Sequence, residues 1–201
     1  YQRVFKIADE YEIDFIIKGN GKEYSRINEV IACESPVIIP VNFPNAYDVS
    51  NPESAEWISL NKLKDWELSP YNPVILANNK VQFCITSSGL VKGADFIKNI
   101  RIAIKKGLKK SDALAALTTN PALLINASPQ IGTLEKGKIA NFFISSKDIF
   151  EDGEIYENWT AGKQHIINKK QLFDLRGYYT LKSDEFQNEF VEIKGSKEKL
   201  E

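Results

Sequence analysis

The sequence predicts an α/β part joined to a mainly β part. Three observations carry that prediction. Helix-spaced apolar segments alternate with strand-like ones through the first half of the chain. The run PVIIPV at residues 36–41 is wholly apolar, as in a strand covered on both faces of a parallel sheet. From Ile131 onward, short β-branched and aromatic runs are separated by Gly, Asp and Lys turns.

Taken in order, residues 4–11 carry apolar side chains at helical spacing and read as the tail of a helix. Residues 12–18 give a compact β-branched and aromatic run, a strand that stops at Gly19-Asn20-Gly21. Residues 22–33 place Tyr24, Ile27, Val30 and Ile31 on one helical face, and residues 36–41 form the next strand. Residues 42–54 are rich in Asn and Pro and read as a long loop, a length that in an α/β unit points to function. A helix is expected over 55–66, broken by Pro70 and Pro73, with a short helix or turn through 74–77. Residues 81–86 make a third strand ending at Ser87-Ser88-Gly89.

Residues 96–108 read as a helix with a basic last turn and a stop at Gly107. Ser111 then looks like the N-cap of a helix to about Thr119, and Asn120-Pro121 restarts a short third one. In the β part, strands are expected at 132–134, 138–145, 155–160 and 163–167, with a hairpin over 173–181 and a charged tail over 194–201 that is mobile or continued elsewhere.

The balance of 26 Lys and Arg against 27 Asp and Glu supplies no field to draw in nucleic acid or an anionic membrane, and no apolar stretch approaches the length of a membrane span. At 43% hydrophobic and 26% charged, the composition excludes intrinsic disorder and a disulfide scaffold. Cys33 and Cys84 lack CxxC spacing and sit in apolar segments, so they read as buried reduced thiols rather than a disulfide or a reactive pair. A single histidine, His165, cannot build a multi-histidine metal site within these residues. Lys105, Lys106, Lys109 and Lys110 read as the solvated end of a helix. The triplets Asn126-Ala-Ser128 and Asn158-Trp-Thr160 match the glycosylation pattern, which arises often by chance. Ser87 or Ser88 as a nucleophile would need a base that the distant His165 does not supply. Tyr1 opens the chain without Met or a signal-peptide pattern, so the start is expected to be a cut.

The run ALAALTTNPALL at 113–124, followed by IGTLEKGKIANFFI at 131–144 and the Gly162-Lys163 strand, resembles the C-terminal signature of the amidohydrolase superfamily, particularly its imidazolonepropionase-like branch. The resemblance is strong from Leu90 to Ile167 and rests on βα order before that. It implies the C-terminal portion of a TIM-like (β/α)8 barrel followed by a small β-sandwich of the composite amidohydrolase type. A full barrel takes about 250 residues, so residues 1–128 are expected to be the C-terminal barrel segment. Residues 129–170 would be the sandwich segment, and 171–201 a β-like extension or the start of a following domain.

The same resemblance implies a hydrolase acting on non-peptide carbon–nitrogen bonds, using one or two divalent metals (zinc, iron or manganese) to activate water. Family members place histidines after the first, fifth and sixth strands, often a modified lysine, and an Asp after the eighth. Matched to the sixth strand, residues 12–18 end in Gly19-Asn20-Gly21 where a His is expected; matched to the eighth, residues 81–86 end in Ser87 where an Asp is expected. Asp14, Asp48, Asp95 and His165 do not restore the pattern, so this segment is expected to supply no catalytic, cofactor or metal residue. Asn20, Asn42, Ser87 and Ser88 remain as pocket candidates. The alternative to a hydrolase is a catalytically silent scaffold or small-molecule-binding domain within a longer multidomain protein. The expected partner is the remainder of the same polypeptide or another copy, because part of a barrel leaves sheet edges unpaired.

Overall fold

A computed structural model describes residues 1–168, 176–182, 187–196 and 199–200. Helix α1, Gln2–Tyr11, ends where Glu12 takes a left-handed conformation (φ 52°) and returns its N–H to Ala8 O. That closure shortens the strand expected over 12–18: only β1, Ile17–Lys18, pairs, and residues 13–16 connect. The single helix expected over 22–33 is divided into a 3-10 turn, Glu23–Arg26, and α2, Ile27–Ala32. The break follows from Glu23, which turns inward, and from Tyr24 N–H, which donates to Asn72 Oδ1 at 2.8 Å. Val30 is buried as expected, whereas Ile31, placed on the same face by the sequence, is exposed.

Strand β2, Val37–Pro40, is the centre of a three-stranded parallel sheet in the order β1-β2-β3, where β3 is Phe83–Thr86. Val37 lies between Ile17 and Phe83, so the wholly apolar run occupies the position with a neighbour on each side. Between β2 and β3 the helix expected over 55–66 is two: α3, Pro52–Glu56, and α4, Leu60–Leu68, whose cap Ser59 accepts from Lys62 N–H. A 3-10 turn, Ser69–Tyr71, leads into α5, Asn72–Asn78, with Pro73 in its first turn.

Helix α6, Asp95–Lys105, is stopped by Gly107 at φ 113°, a conformation that disfavours any side chain. Helix α7, Lys110–Leu117, begins before Ser111, which therefore does not cap it; Lys109 holds the cap position without a side-chain bond. Helix α8, Thr119–Leu124, follows at once, and Asn120 donates to Phe83 O at 2.8 Å, fastening it to β3. Gly132 then crosses α8, with a hypothetical Cβ only 2.8 Å from Ala122 Cβ. No strand forms at 132–134, where the chain turns instead.

Strands β4 (Phe142–Ser145), β5 (Ile155–Thr160) and β6 (Lys163–Ile166) form an antiparallel meander. Phe142 and Trp159 are register partners whose rings stack at 5.5 Å. Strands β7 (Gly177–Lys182) and β8 (Gln187–Ile193) form a hairpin. The hairpin expected over 173–181 therefore lies further along the chain: only its first arm, β7, falls in that range, and residues 173–175 lie outside the described residues. In the tail, β9 (Gly195–Ser196) pairs with β10 (Lys199–Leu200); residues 197, 198 and 201 lie outside the described residues.

The core sits between the parallel sheet and α5, α6 and α7. Ile39, Leu76 and Ile100 are fully buried, each contributing roughly 2–3 kcal/mol by removal from water. Residues 147–153 are latched onto this core. Phe150 is buried in it, and the Arg101 guanidinium donates to Ile149 O and Gly153 O, both at 2.8 Å. Lys110 pairs with Asp148 and Glu151 at 2.7 and 2.6 Å. The basic cluster at 105–110 is thus more than a solvated helix end, since Lys106 also lies 5.0 Å from the centre of the Tyr71 ring.

Candidate functional site

In a parallel sheet the three strands point the same way, so the loops that follow them share one end. Here those loops are 19–21, 41–51 and 87–94. Gly19 N–H donates to Ile38 O at 2.9 Å, and Gly21 at φ 86° lies against Pro40, which sets the first loop beside the end of β2. The Asn42 amide covers Gly89: a Cβ there would lie 2.5 Å from Asn42 Nδ2, and the positive φ of 83° suits glycine as well. Asn42 and the turn after β3 are therefore in contact. Ser88 N–H donates to Thr86 Oγ1, and Leu90 N–H to Ser87 O, closing that turn. The buried Asn99 donates to Val41 O at 2.6 Å and fixes the exit of β2.

Asn20, Asn42 and Ser87 are exposed at this end, and Ser88 is half-buried. Their chemistry is neutral: two carboxamides and two hydroxyls. Asn20 Oδ1 already accepts from Lys22 N–H at 3.0 Å. In the loop after β2, Asp48 accepts from both Ser50 N–H and Ser50 Oγ, and the Ser50 hydroxyl is the leading cause holding its carboxyl below the usual range. His165 lies exposed in β6 opposite Asn158, in the antiparallel sheet rather than the parallel one.

Behind the first loop stands a cluster that the sequence did not reveal. Glu23 is 1% exposed. Its Oε1 accepts from Asn20 N–H at 2.8 Å, Gly21 N–H at 3.3 Å and the Tyr1 hydroxyl at 3.1 Å, while Oε2 accepts from Asn72 Nδ2 at 2.6 Å. Burial, then the Glu23 charge, raises the Tyr1 phenol above its ordinary value. Nearby, Lys22 and Tyr24 both donate to Asp65; Lys22 is the leading cause that lowers the Asp65 carboxyl, and burial followed by Asp65 pushes Tyr24 up to about 12. A glutamate within a helical pattern reads as a solvent-facing charge. The clue available beforehand was the glycine pair flanking Asn20, which allows a carboxylate to approach the backbone.

Cys33 and Cys84 are free and buried, as expected. Burial pushes Cys84 up to about 11 and raises Cys33, which keeps both as thiols. A recess of about 880 Å³ lies between α6 and residues 147–153, lined by Lys98, Arg101, Lys105, Lys110 and Asp152 among others.

Residues 71–173 match the amidohydrolase family. The chain belongs to the amidohydrolase family. Among solved structures, an amidohydrolase from Thermotoga maritima is 21% identical with a TM-score of 0.63, over 83% of this chain and 40% of that one. A prolidase complexed with N-methylphosphonate-L-proline is 18% identical with a TM-score of 0.54, over 82% and 43%. Another amidohydrolase is 13% identical with a TM-score of 0.51, over 77% and 40%. At these identities the likeness shows the fold: a TIM-barrel-related arrangement of mixed α and β. This amidohydrolase chain spans well under two thirds of the length of the structures it resembles. No curated protein matches it. Amidohydrolases generally use divalent metals. Among the described residues, no helix is long and apolar enough to cross a membrane.

Proposed function

We propose that this chain is the C-terminal portion of an amidohydrolase barrel of the imidazolonepropionase-like branch, with β1, β2 and β3 as its last three strands and β4–β6 as part of a small sandwich. The signature at 113–124 and 131–144 supports the branch, and the parallel order of the three strands suits the placement. In this reading the barrel is a small-molecule-binding scaffold, and the strand ends of this segment contribute hydrogen-bonding walls rather than metal ligands.

The observation that carries the reading is the loop after β1. In the turn where family members place an imidazole, the side chain present is the carboxamide of Asn20, and the preceding Gly19 has no room for one: a Cβ would overlap Glu23 Oε1 and stand 2.8 Å from the carboxyl carbon. Glu23 itself accepts four hydrogen bonds, and Asn20 Oδ1 is engaged within its own turn. Ser87, where the family has Asp, is a neutral hydroxyl that neither balances a dication nor accepts a proton near neutrality. These groups do not fit a divalent metal. Carboxamides and hydroxyls at a strand end suit a neutral ligand with complementary donors and acceptors.

Membership in the family favours a second reading, a hydrolase of non-peptide carbon–nitrogen bonds whose zinc, iron or manganese is held by residues outside this segment. Metal analysis of the full-length protein separates the two. The scaffold reading expects sub-stoichiometric metal in the wild type and a gain in Zn²⁺ binding in an Asn20→His/Ser87→Asp variant. Stoichiometric metal in the wild type overturns it in favour of the hydrolase.

A further inference from the structure

We propose that Glu23 is a positioning residue for the strand-end pocket: its buried carboxylate, locked by Asn72, sets the conformation of the 19–21 loop and hence where Asn20 stands. The inference rests on reading the strand ends as a pocket. It goes further in assigning the pocket's geometry to a residue outside it.

The bonding is directional at every atom. Oε1 gathers the peptide N–H groups of Asn20 and Gly21 with the Tyr1 hydroxyl, so three donors from two segments converge on one oxygen. Oε2 takes the Asn72 amide nitrogen, and the Asn72 oxygen takes Tyr24 N–H. Asn72 is 1% exposed at the start of α5, a helix with Pro73 in its first turn and Val74 and Leu76 buried in the core. The path runs from α5 through Asn72 and Glu23 to the loop. A carboxylate out of water is tolerated only when its lone pairs are filled, so this cluster holds its loop in one arrangement. Gly19 completes the lock, because only a residue without a side chain lets the carboxylate approach that closely.

The atom pattern dictates the test. In Glu23→Gln the Oε1 contacts survive, but an amide nitrogen replaces Oε2 and faces the Asn72 nitrogen, donor against donor. Turning the Asn72 amide over relieves that conflict and creates another with Tyr24 N–H. Adding Asn72→Asp removes both: the new carboxylate accepts from the introduced glutamine amide and from Tyr24 N–H, and every donor regains an acceptor. Hydrogen exchange at the amides of Asn20 and Gly21, read against those of β2 in the full-length protein, tests this without any ligand.

The expected result is exchange faster by roughly tenfold or more at Asn20 and Gly21 in Glu23→Gln, with β2 unchanged. The double variant is expected within a few fold of wild type. A single variant that fails to fold alongside a double variant that does also supports the lock. Equal loosening across the sheet, no loosening, or a double variant that is as loose as the single one or does not fold overturns it. The metal analysis above is independent, so either conclusion can fail alone.

Discussion

Gly19 and Cys84 show how far single positions are constrained. The space beside Gly19 belongs to a carboxylate pinned by four bonds, which cannot swing aside as a free side chain would. Gly19→Ala is therefore expected to cost about 1–3 kcal/mol, read as a lower denaturant midpoint with an unchanged slope. Cys84 is held near 11 against an ordinary 9.0. The raised value means that the folded state keeps the proton: the stability this contributes is complete below the ordinary thiol range and is lost as pH rises through about 11. At pH 8, alkylation of native Cys84 by iodoacetamide is expected to be roughly a hundredfold slower than in the unfolded chain, and equal rates would contradict its burial. The burial of Cys84 was legible, because a cysteine within VQFCIT has apolar neighbours. The burial of Glu23 was not, because its charge and helical spacing both suggest solvent, and only the return of α5 from far along the chain supplies its partner.

Among the elements, the latch at 147–153 carries the clearest consequence. Arg101 spans two carbonyls with two nitrogens, a fork that lysine cannot reproduce. Arg101→Lys and Arg101→Ala are both expected to lose about 1–3 kcal/mol, with similar values for the two; full retention by lysine would show that charge alone holds the latch. The ion pairs at Lys110 add a pH dependence. Lys110, then Phe150 N–H, holds the Asp148 carboxyl below its ordinary 3.8, so the contribution is present above 3.8 and lost as pH falls through the lower folded value. Exchange of amides 147–153 is expected to rise over that acid interval before the parallel sheet loosens. Element types were mostly legible and their limits less so. β2 is legible nearly to its ends because a wholly apolar strand in mid-sheet has one interpretation. β1 is shorter than its pattern because Glu12 closes the helix in a left-handed turn that composition does not reveal. The patterns over 22–33 and 55–66 each suggest one helix, because inward-turned Glu23 and the cap at Ser59 divide them through tertiary bonds and a local cap within otherwise continuous periodicity.

At the scale of the whole molecule, the parallel sheet ends at β1 and β3, and apolar side chains including Phe5, Ile7, Ile13 and Ile16 are exposed. The 201 residues expressed alone are expected to self-associate in sedimentation, and a dilution-independent monomer would contradict that. The fold family was legible from spaced glycines and the NPA run, which serve crossings and helix joins: Gly132 passes α8 and Asn120 ties α8 to β3. Those residues report architecture and leave the chemistry of the pocket to loops whose contacts are tertiary.

The register of the two sheets also orders events in time. Val37 must find Phe83 across α3, α4 and α5, whereas Phe142 meets Trp159 across a single short excursion. Closing the shorter loop gives up less chain entropy, so the meander can form while the parallel sheet is still being searched for. In pulse-labelled refolding, amides of β4–β6 are expected to gain protection before those of β2 and β3.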